Sequence, residues 1–250
     1  WLNELPNFKK LVNLKKPLKN IQKTNSIINP IFIIGVPRCG STMIEKVIAS
    51  GTRYIPIGEE TGILSTLVRE KILQKSSLEL NIEDFQKKII DKYIQKGLIQ
   101  KKSKYTFTDK SLENFFYIGL IKKIFPHAKV INCKRNALSS IVSIVKNNLG
   151  QISWAHNLEH IFQYFDIYNK KIENFKKIFP NFIYELQLEK FIKDPKIESK
   201  KLMKFCNIPW NKKCLEFYKR KDLVSRTASK LQIRKSIYKD SLNVHPAYKV

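Results

Sequence analysis

The sequence predicts an α/β fold, a single domain built on a P-loop-like parallel sheet flanked by helices, and three observations carry that prediction. A short apolar run, Pro30 to Gly35, passes through a glycine-containing turn into residues at helical spacing. A second unit begins at Lys110 with an apolar helix and continues as a strand from Lys129 and another helix. Strands that alternate with helices imply a parallel sheet, because only a crossover can connect parallel neighbours. Hydrophobic residues make up 43% of the 250 residues and aromatics 11%, enough to bury a core that offsets chain entropy.

The elements follow in order. Residues 1–29 are polar and Lys-rich with scattered Leu, and read as an N-terminal arm or the remnant of an upstream module; the domain is placed at 30–250. PIFIIG (Pro30 to Gly35) is the first strand, VPRCGST the turn, and Met43, Ile44, Val47 and Ile48 the apolar face of the first helix. The segment 61 to 105 carries no interpretable motif. After Lys110, the residues Phe115, Phe116, Ile118, Leu120, Ile121, Ile124 and Phe125 predict one largely apolar helix ended by Pro126. KVINC (Lys129 to Cys133) is a strand, and Ala137, Leu138, Ile141, Val142 and Val145 recur as an amphipathic helix. A long helix is expected over 156–179, a strand over Phe182 to Gln187, and helix over 196–220 with a break at Pro209. The tail from Lys221 has no clear period and reads as a long loop.

Charge bounds the partners without choosing one. With 47 Lys+Arg against 21 Asp+Glu the formal charge is +26, which attracts nucleic acid, anionic membrane or phosphorylated small molecules. Lysines spread beside abundant Ile and Asn fit compositional drift equally well. No apolar run approaches the roughly 18 to 20 residues that span a bilayer. The chain opens on Trp1 without Met or signal-peptide features and is read as a candidate fragment. Four cysteines without a C-x-x-C pair point to reduced thiols and a cytoplasmic setting. His156 and His160 stand at i, i+4 with no third ligand in recognisable spacing, so no metal is expected.

Gly35 to Thr42 reads Gly-Val-Pro-Arg-Cys-Gly-Ser-Thr, the G-x-x-x-x-G frame of a Walker A loop with Ser41 where that motif demands Lys. A strand-to-helix turn of this kind aims backbone N–H groups and the positive end of a helix at an anion, and Ser41 and Thr42 add hydroxyl donors. Without the Walker lysine the grip on a nucleoside triphosphate is weakened, and Arg38 becomes the main cation of the loop.

PIFIIGVPRCGST, the GEET after it, FTDKSLENFFYIGLIKKIFPHAKVINCKRNALSSIVSIV and RTASKLQIRKSIY, taken in order, resemble the sulfotransferases that use 3′-phosphoadenosine 5′-phosphosulfate (PAPS). The similarity runs from Pro30 to Tyr238 and leans toward bacterial sulfotransferases joined to helical repeats and toward tyrosylprotein sulfotransferases. The resemblance implies an upstream helical-repeat module, PAPS as sulfuryl donor without a metal, and no specific nucleic-acid partner. It implies that Arg38, Cys39, Gly40, Ser41 and Thr42 hold the 5′-phosphosulfate, and that Arg135 and Ser143 hold the 3′-phosphate. Ser139 and Ser140 stand close enough to be confused with Ser143. A guanidinium can take phosphate oxygens in bidentate fashion while a hydroxyl fills a remaining acceptor. In the late segment, Ser229 is expected at the phosphosulfate, with Gln232 and Arg234 on the nucleotide.

Three departures accompany the resemblance. Cys39 replaces the usual Ser, and since a thiol is a poor donor the backbone is expected to carry that contact. Leu188 stands before Glu189 where the tyrosylprotein enzymes have Tyr, which removes one nucleotide contact. The closing SLNVHPAYKV lacks the usual Trp, leaving Lys239 and Lys249 as weak candidates for its basic contact.

Sulfuryl transfer needs a deprotonated acceptor oxygen in line with the sulfur and cations that spread charge, so positioning and electrostatics dominate. Glu59 and Glu60 in GEET supply a general base toward an acceptor hydroxyl. Counting from Arg38 without gaps selects Glu59, and matching the GEET string selects Glu60, which is favoured. The resemblance makes Lys110, in Thr-Asp-Lys, the lysine that stabilises the leaving bridging oxygen, assisted by Ser229. The acceptor stays open among peptide tyrosine, carbohydrate and small alcohol. A noncatalytic basic module binding nucleotide or polyanion is the alternative reading, resting on the charge.

Overall fold

The computed structural model describes residues 28–51, 55–73, 81–99, 105–150, 152–220, 222 and 237. Apart from Ile28 and Asn29, the expected N-terminal arm lies outside them. The Asn29 amide donates to the Tyr105 carbonyl at 2.8 Å, so the chain already runs beside the sheet where it enters.

Four parallel strands form the sheet in the order β2-β1-β3-β4. β1 (Ile31–Gly35) is buried at all five positions, as a central strand covered on both faces must be. Beside it lie β2 (Thr108–Asp109) and β3 (Lys129–Lys134), and β4 (Ile183–Gln187) closes the far edge. Helix α1 (Ser41–Ala49) follows β1, and α2 (Ile63–Leu73) and α3 (Ile82–Gln95) lead to β2. A 3-10 turn (Leu112–Tyr117) and α4 (Ile118–Ile124) cross to β3. Helix α5 (Ala137–Lys146), a short 3-10 turn (Ser153–His156) and the long α6 (Leu158–Ile178) lead to β4. The described fold ends with α7 (Leu188–Lys193), α8 (Pro195–Phe205) and a 3-10 stretch (Lys212–Lys219).

Two sequence expectations are adjusted. The apolar helix expected after Lys110 is split: Ser111 and Asn114 both donate side-chain bonds to Asp109, and this local bonding holds the first turns as 3-10 before α4 begins. Packing accepts the split, with the Phe115 ring meeting Tyr164 and Tyr168 of α6 edge-on, centroids 5.8 and 4.7 Å away. The helix expected over 196–220 stops at Phe205, ahead of Pro209, and resumes only as 3-10. The segment without motif, 61 to 105, holds α2 and α3; α3 is capped by Asn81, whose side chain accepts from the amides of Glu83 and Asp84.

Strand order fixes where a ligand can sit. From β1 the chain travels toward β2, and from β3 it travels the other way toward β4, so β1 and β3 flank the topological switch point. The crevice beyond their carboxyl ends is where open α/β sheets receive ligands. The register pairs Gly35 with Cys133, which brings the loops 36–40 and 135–136 out side by side.

Candidate active site

The first loop turns on two left-handed residues, Arg38 (φ 68°) and Gly40 (φ 91°). Gly40 is the N-cap of α1 and offers no side-chain cap. The amides of the first helical turn, which have no intrahelical acceptor, therefore face the crevice with the positive end of the helix dipole. Close packing makes both glycines of the loop necessary. A Cβ on Gly35 would stand 2.3 Å from Cys39 Sγ and 2.8 Å from the Cys133 carbonyl, and one on Gly40 would stand 2.8 Å from Leu188 Cδ1.

These contacts account for two departures seen in the sequence. Cys39 is fully buried, its thiol tucked behind the loop against Gly35 and hydrogen-bonded to Cys133, which together with the amide and hydroxyl of Ser41 lowers its pKa against burial. A side chain directed into the core does not itself reach a ligand, and it bears on the loop through Ser41. Leu188 forms an apolar floor beneath Gly40.

The second loop adds its cation to the first. Arg135 Nη1 donates to the carbonyl of Arg38 at 3.1 Å, and Arg38 Nε donates to Ser143 Oγ on α5 at 3.0 Å. Arg38, Arg135 and Ser143, 105 residues apart at the extremes, are thus one cluster. Burial and the adjacent Arg135 both lower the pKa of Arg38, so the pair is a place where an anion relieves a cost. Ser139 and Ser140 are buried, whereas Ser143 is only partly so. Glu189, which sequence reasoning gave no role, positions this loop: its Oε1 accepts from the Asn136 amide at 2.8 Å and its Oε2 from Gln187 Nε2 at 2.6 Å.

On the other side of β1 lies an acid–base cluster. Lys110, 1% exposed, donates to Glu60 Oε1 at 2.7 Å and stands 3.7 Å from Glu59 Oε1. The Glu59 side chain is 8% exposed and that of Glu60 is 48% exposed. Burial alone would lower Lys110, but Glu60, Glu45 and Glu59 outweigh it and hold the ammonium above its ordinary pKa. Glu60 sits at φ 50°, an unfavourable region for a non-glycine residue, and its amide donates to the Lys110 carbonyl at 2.9 Å.

Asp109, beside Lys110, is the anchor of this side. Its buried carboxylate accepts from Thr61 Oγ1 at 2.9 Å, Ser111 Oγ at 2.8 Å, Asn114 Nδ2 at 3.1 Å and the Tyr93 hydroxyl. Burial nonetheless raises its pKa. Both Asp109 and the buried Thr108 lie in the TDKS string, yet the string does not mark them as a hub, because apart from Ser111 and Asn114 their partners are distant in sequence: Thr61 and, on α3, Tyr93 for Asp109, Glu45 of α1 and Gly58 for Thr108.

Ser229, Gln232 and Arg234 lie outside the described residues, as do Lys239 and Lys249. His156 and His160 are exposed, and no group of three metal-ligating side chains occurs among the described residues. No helix among them is long and apolar enough to cross a membrane.

A parallel α/β sheet with this loop at its switch point defines a class with solved members. The sulfotransferase domain from the Synechococcus PCC 7002 olefin synthase superposes with a TM-score of 0.60 at 17% identity, covering 91% of this chain and 90% of that one. The sulfotransferase domain from the curacin biosynthetic pathway gives 0.61 at 18% identity, covering 86% and 89%. The profile of the sulfotransferase family matches residues 30–212, and the chain belongs to that family. It is 33% identical over 227 residues to an uncharacterized protein of Aquifex aeolicus (strain VF5), covering 85% of this chain and 30% of that protein. It is 24% identical over 202 residues to protein-tyrosine sulfotransferase 1 of Danio rerio, covering 72% of this chain and 54% of that protein. The chain therefore spans about a third to about half the length of these two relatives.

Proposed function

We propose that this domain moves a sulfuryl group from PAPS to an acceptor hydroxyl. The observation that carries the reading is the convergence of Arg38, Arg135 and Ser143 at the switch point, beside the uncapped first turn of α1, with the Lys110–Glu60 pair across β1.

The residues fit such a donor. The amides of Ser41 and Thr42 and the guanidinium of Arg38 would hold its 5′ end, and Arg135 with Ser143 its 3′-phosphate. When bound, the donor supplies an activated sulfuryl group and a bisphosphate leaving group. Glu60, the more exposed carboxylate, takes the proton of the acceptor hydroxyl. Lys110, held protonated by its acidic neighbours, presents a fixed positive charge where negative charge develops, at no reorganisation cost. Glu59, nearly enclosed, keeps Lys110 in place. The acceptor is a hydroxyl of peptide tyrosine, carbohydrate or small alcohol.

Calorimetric titration with 3′-phosphoadenosine 5′-phosphate, beside 5′-AMP and ATP at near-physiological salt, tests this. Micromolar binding that requires the 3′-phosphate, and weakens about tenfold or more in Arg135→Ala, is expected for the loss of a charge-assisted phosphate contact. Equal or absent binding of all three nucleotides overturns the reading and leaves the basic-module alternative.

A further inference from the structure

One buried acid near the site, so far only a neighbouring charge to Lys110, makes its own hydrogen bond elsewhere. Glu45, on α1, is 0% exposed. Its Oε1 accepts from Thr108 Oγ1 at 2.7 Å, and its Oε2 has no hydrogen-bond partner among the described residues. A carboxyl group in that position is costly, and an apolar side chain would fill the same space more cheaply.

Thr108 connects it to the acid pair. The Gly58 amide donates to Thr108 Oγ1 at 3.2 Å. Backbone bonds then lay residues 56–60 alongside 108–110: Thr108 N–H to the Pro56 carbonyl at 3.0 Å, Lys110 N–H to that of Gly58 at 3.0 Å, and Glu60 N–H to that of Lys110 at 2.9 Å. The approach is so close that a Cβ on Gly58 would stand 2.2 Å from the Thr108 carbonyl oxygen. This short segment ends in Glu59 and Glu60, the latter in its left-handed conformation, and such strain persists only where the surroundings over-determine it.

We propose that Glu45 is a positioning residue: by taking the single proton of the Thr108 hydroxyl, it turns that oxygen's lone pairs toward the Gly58 amide and so holds Glu59 and Glu60 against Lys110. A hydroxyl has one proton to give and two lone pairs to offer. Without an acceptor at position 45, the Thr108 proton turns to the Pro56 carbonyl, 3.5 Å away, and the lone pairs turn with it. Helix α1, which begins at the anion-facing loop, is thereby tied through one hydroxyl to the segment that carries the base. The functional meaning of the tie rests on the reading of Lys110 and Glu60 as the reacting pair; the tie itself does not.

The test uses amide hydrogen exchange at Gly58 and Glu60 in the full chain, together with titration by 3′-phosphoadenosine 5′-phosphate and turnover of PAPS. Glu45→Ala and Thr108→Val should each raise exchange at these amides about tenfold, the equivalent of one hydrogen bond. The double variant should exchange no faster than either single one, because both break the same link. Glu45→Gln and Thr108→Ser, which keep an accepting oxygen and a hydroxyl, should restore protection. In the two disruptive variants kcat for PAPS should fall while nucleotide affinity holds. Thr108→Val, nearly isosteric, keeps the test valid if Glu45→Ala fails to fold. Unchanged exchange in Thr108→Val, or a Glu45→Gln variant that exchanges as fast as Glu45→Ala, overturns the proposal. If the wild-type chain shows the expected exchange pattern yet binds no nucleotide, the sulfotransferase reading fails and the Glu45 tie stands.

Discussion

Glu45 also makes a prediction about stability that needs no ligand. Burial raises its pKa from the ordinary 4.5 to about 7, against the pull of Lys110, Thr108 and Lys46. Between those two values the folded chain keeps a proton at Glu45 that the unfolded chain has released. The folded state then binds more protons than the unfolded one, so this group's contribution to stability declines as pH rises from about 4.5 to about 7 and is constant above. A displacement of that size, at about 1.4 kcal/mol per unit, is worth about 3 kcal/mol. Glu45→Gln abolishes the ionisation while preserving shape and an accepting oxygen. Urea unfolding of the full chain and of the variant across this pH interval should show Glu45→Gln gaining about 3 kcal/mol on the wild type as pH rises. Taking the difference cancels the titration of groups far from position 45. A difference that stays flat within about 1 kcal/mol would mean that Glu45 ionises as it does in water and that its site is wetter than the geometry implies.

Two further substitutions probe the frame around the site. Asp109→Ala leaves four donors without their shared acceptor and should cost about 3 to 5 kcal/mol in urea unfolding at an unchanged m-value; a loss under about 1 kcal/mol would show that water replaces the carboxylate. Gly40→Ala should cost about 1 to 3 kcal/mol and weaken nucleotide binding, because the residue is left-handed and its Cβ would press on Leu188. Adding Leu188→Ala should relieve the contact and leave the backbone part of the cost, so full recovery in the double variant would refute the backbone argument.

The parts of the fold that could be read from sequence are those whose physics is local. β1 and β3 are short apolar runs, and each passes directly into a helix with a clear apolar face. Their loops carry Arg38 and Arg135, so the arginine cluster of the candidate site is legible in these two units. β2 is not. Its two residues, Thr108 and Asp109, are polar and fully buried, and they present no alternation because they are held by the side chains of Glu45 on α1, Tyr93 on α3 and Thr61, with Ser111 and Asn114. Nothing in TDKS announces that. Glu45 was hidden in the same way, as one polar residue inside a helix whose apolar positions already satisfied the period.

The difference between the two halves is a difference in what positions them. The half around Arg38 is built from backbone amides and arginines, whose placement follows from a turn and a helix end. Local chemistry is enough, and Cys39 can replace Ser because its side chain points into the core. The acid–base half depends on side chains that meet across the sheet: Asp109 gathers four donors, Thr108 links Glu45 to Gly58, and Lys110 reaches two carboxylates. Substitutions in the first half should therefore act chiefly on nucleotide affinity, each roughly independently. Those in the second should act on turnover and stability together and be strongly non-additive, since each residue there is held by the ones it holds.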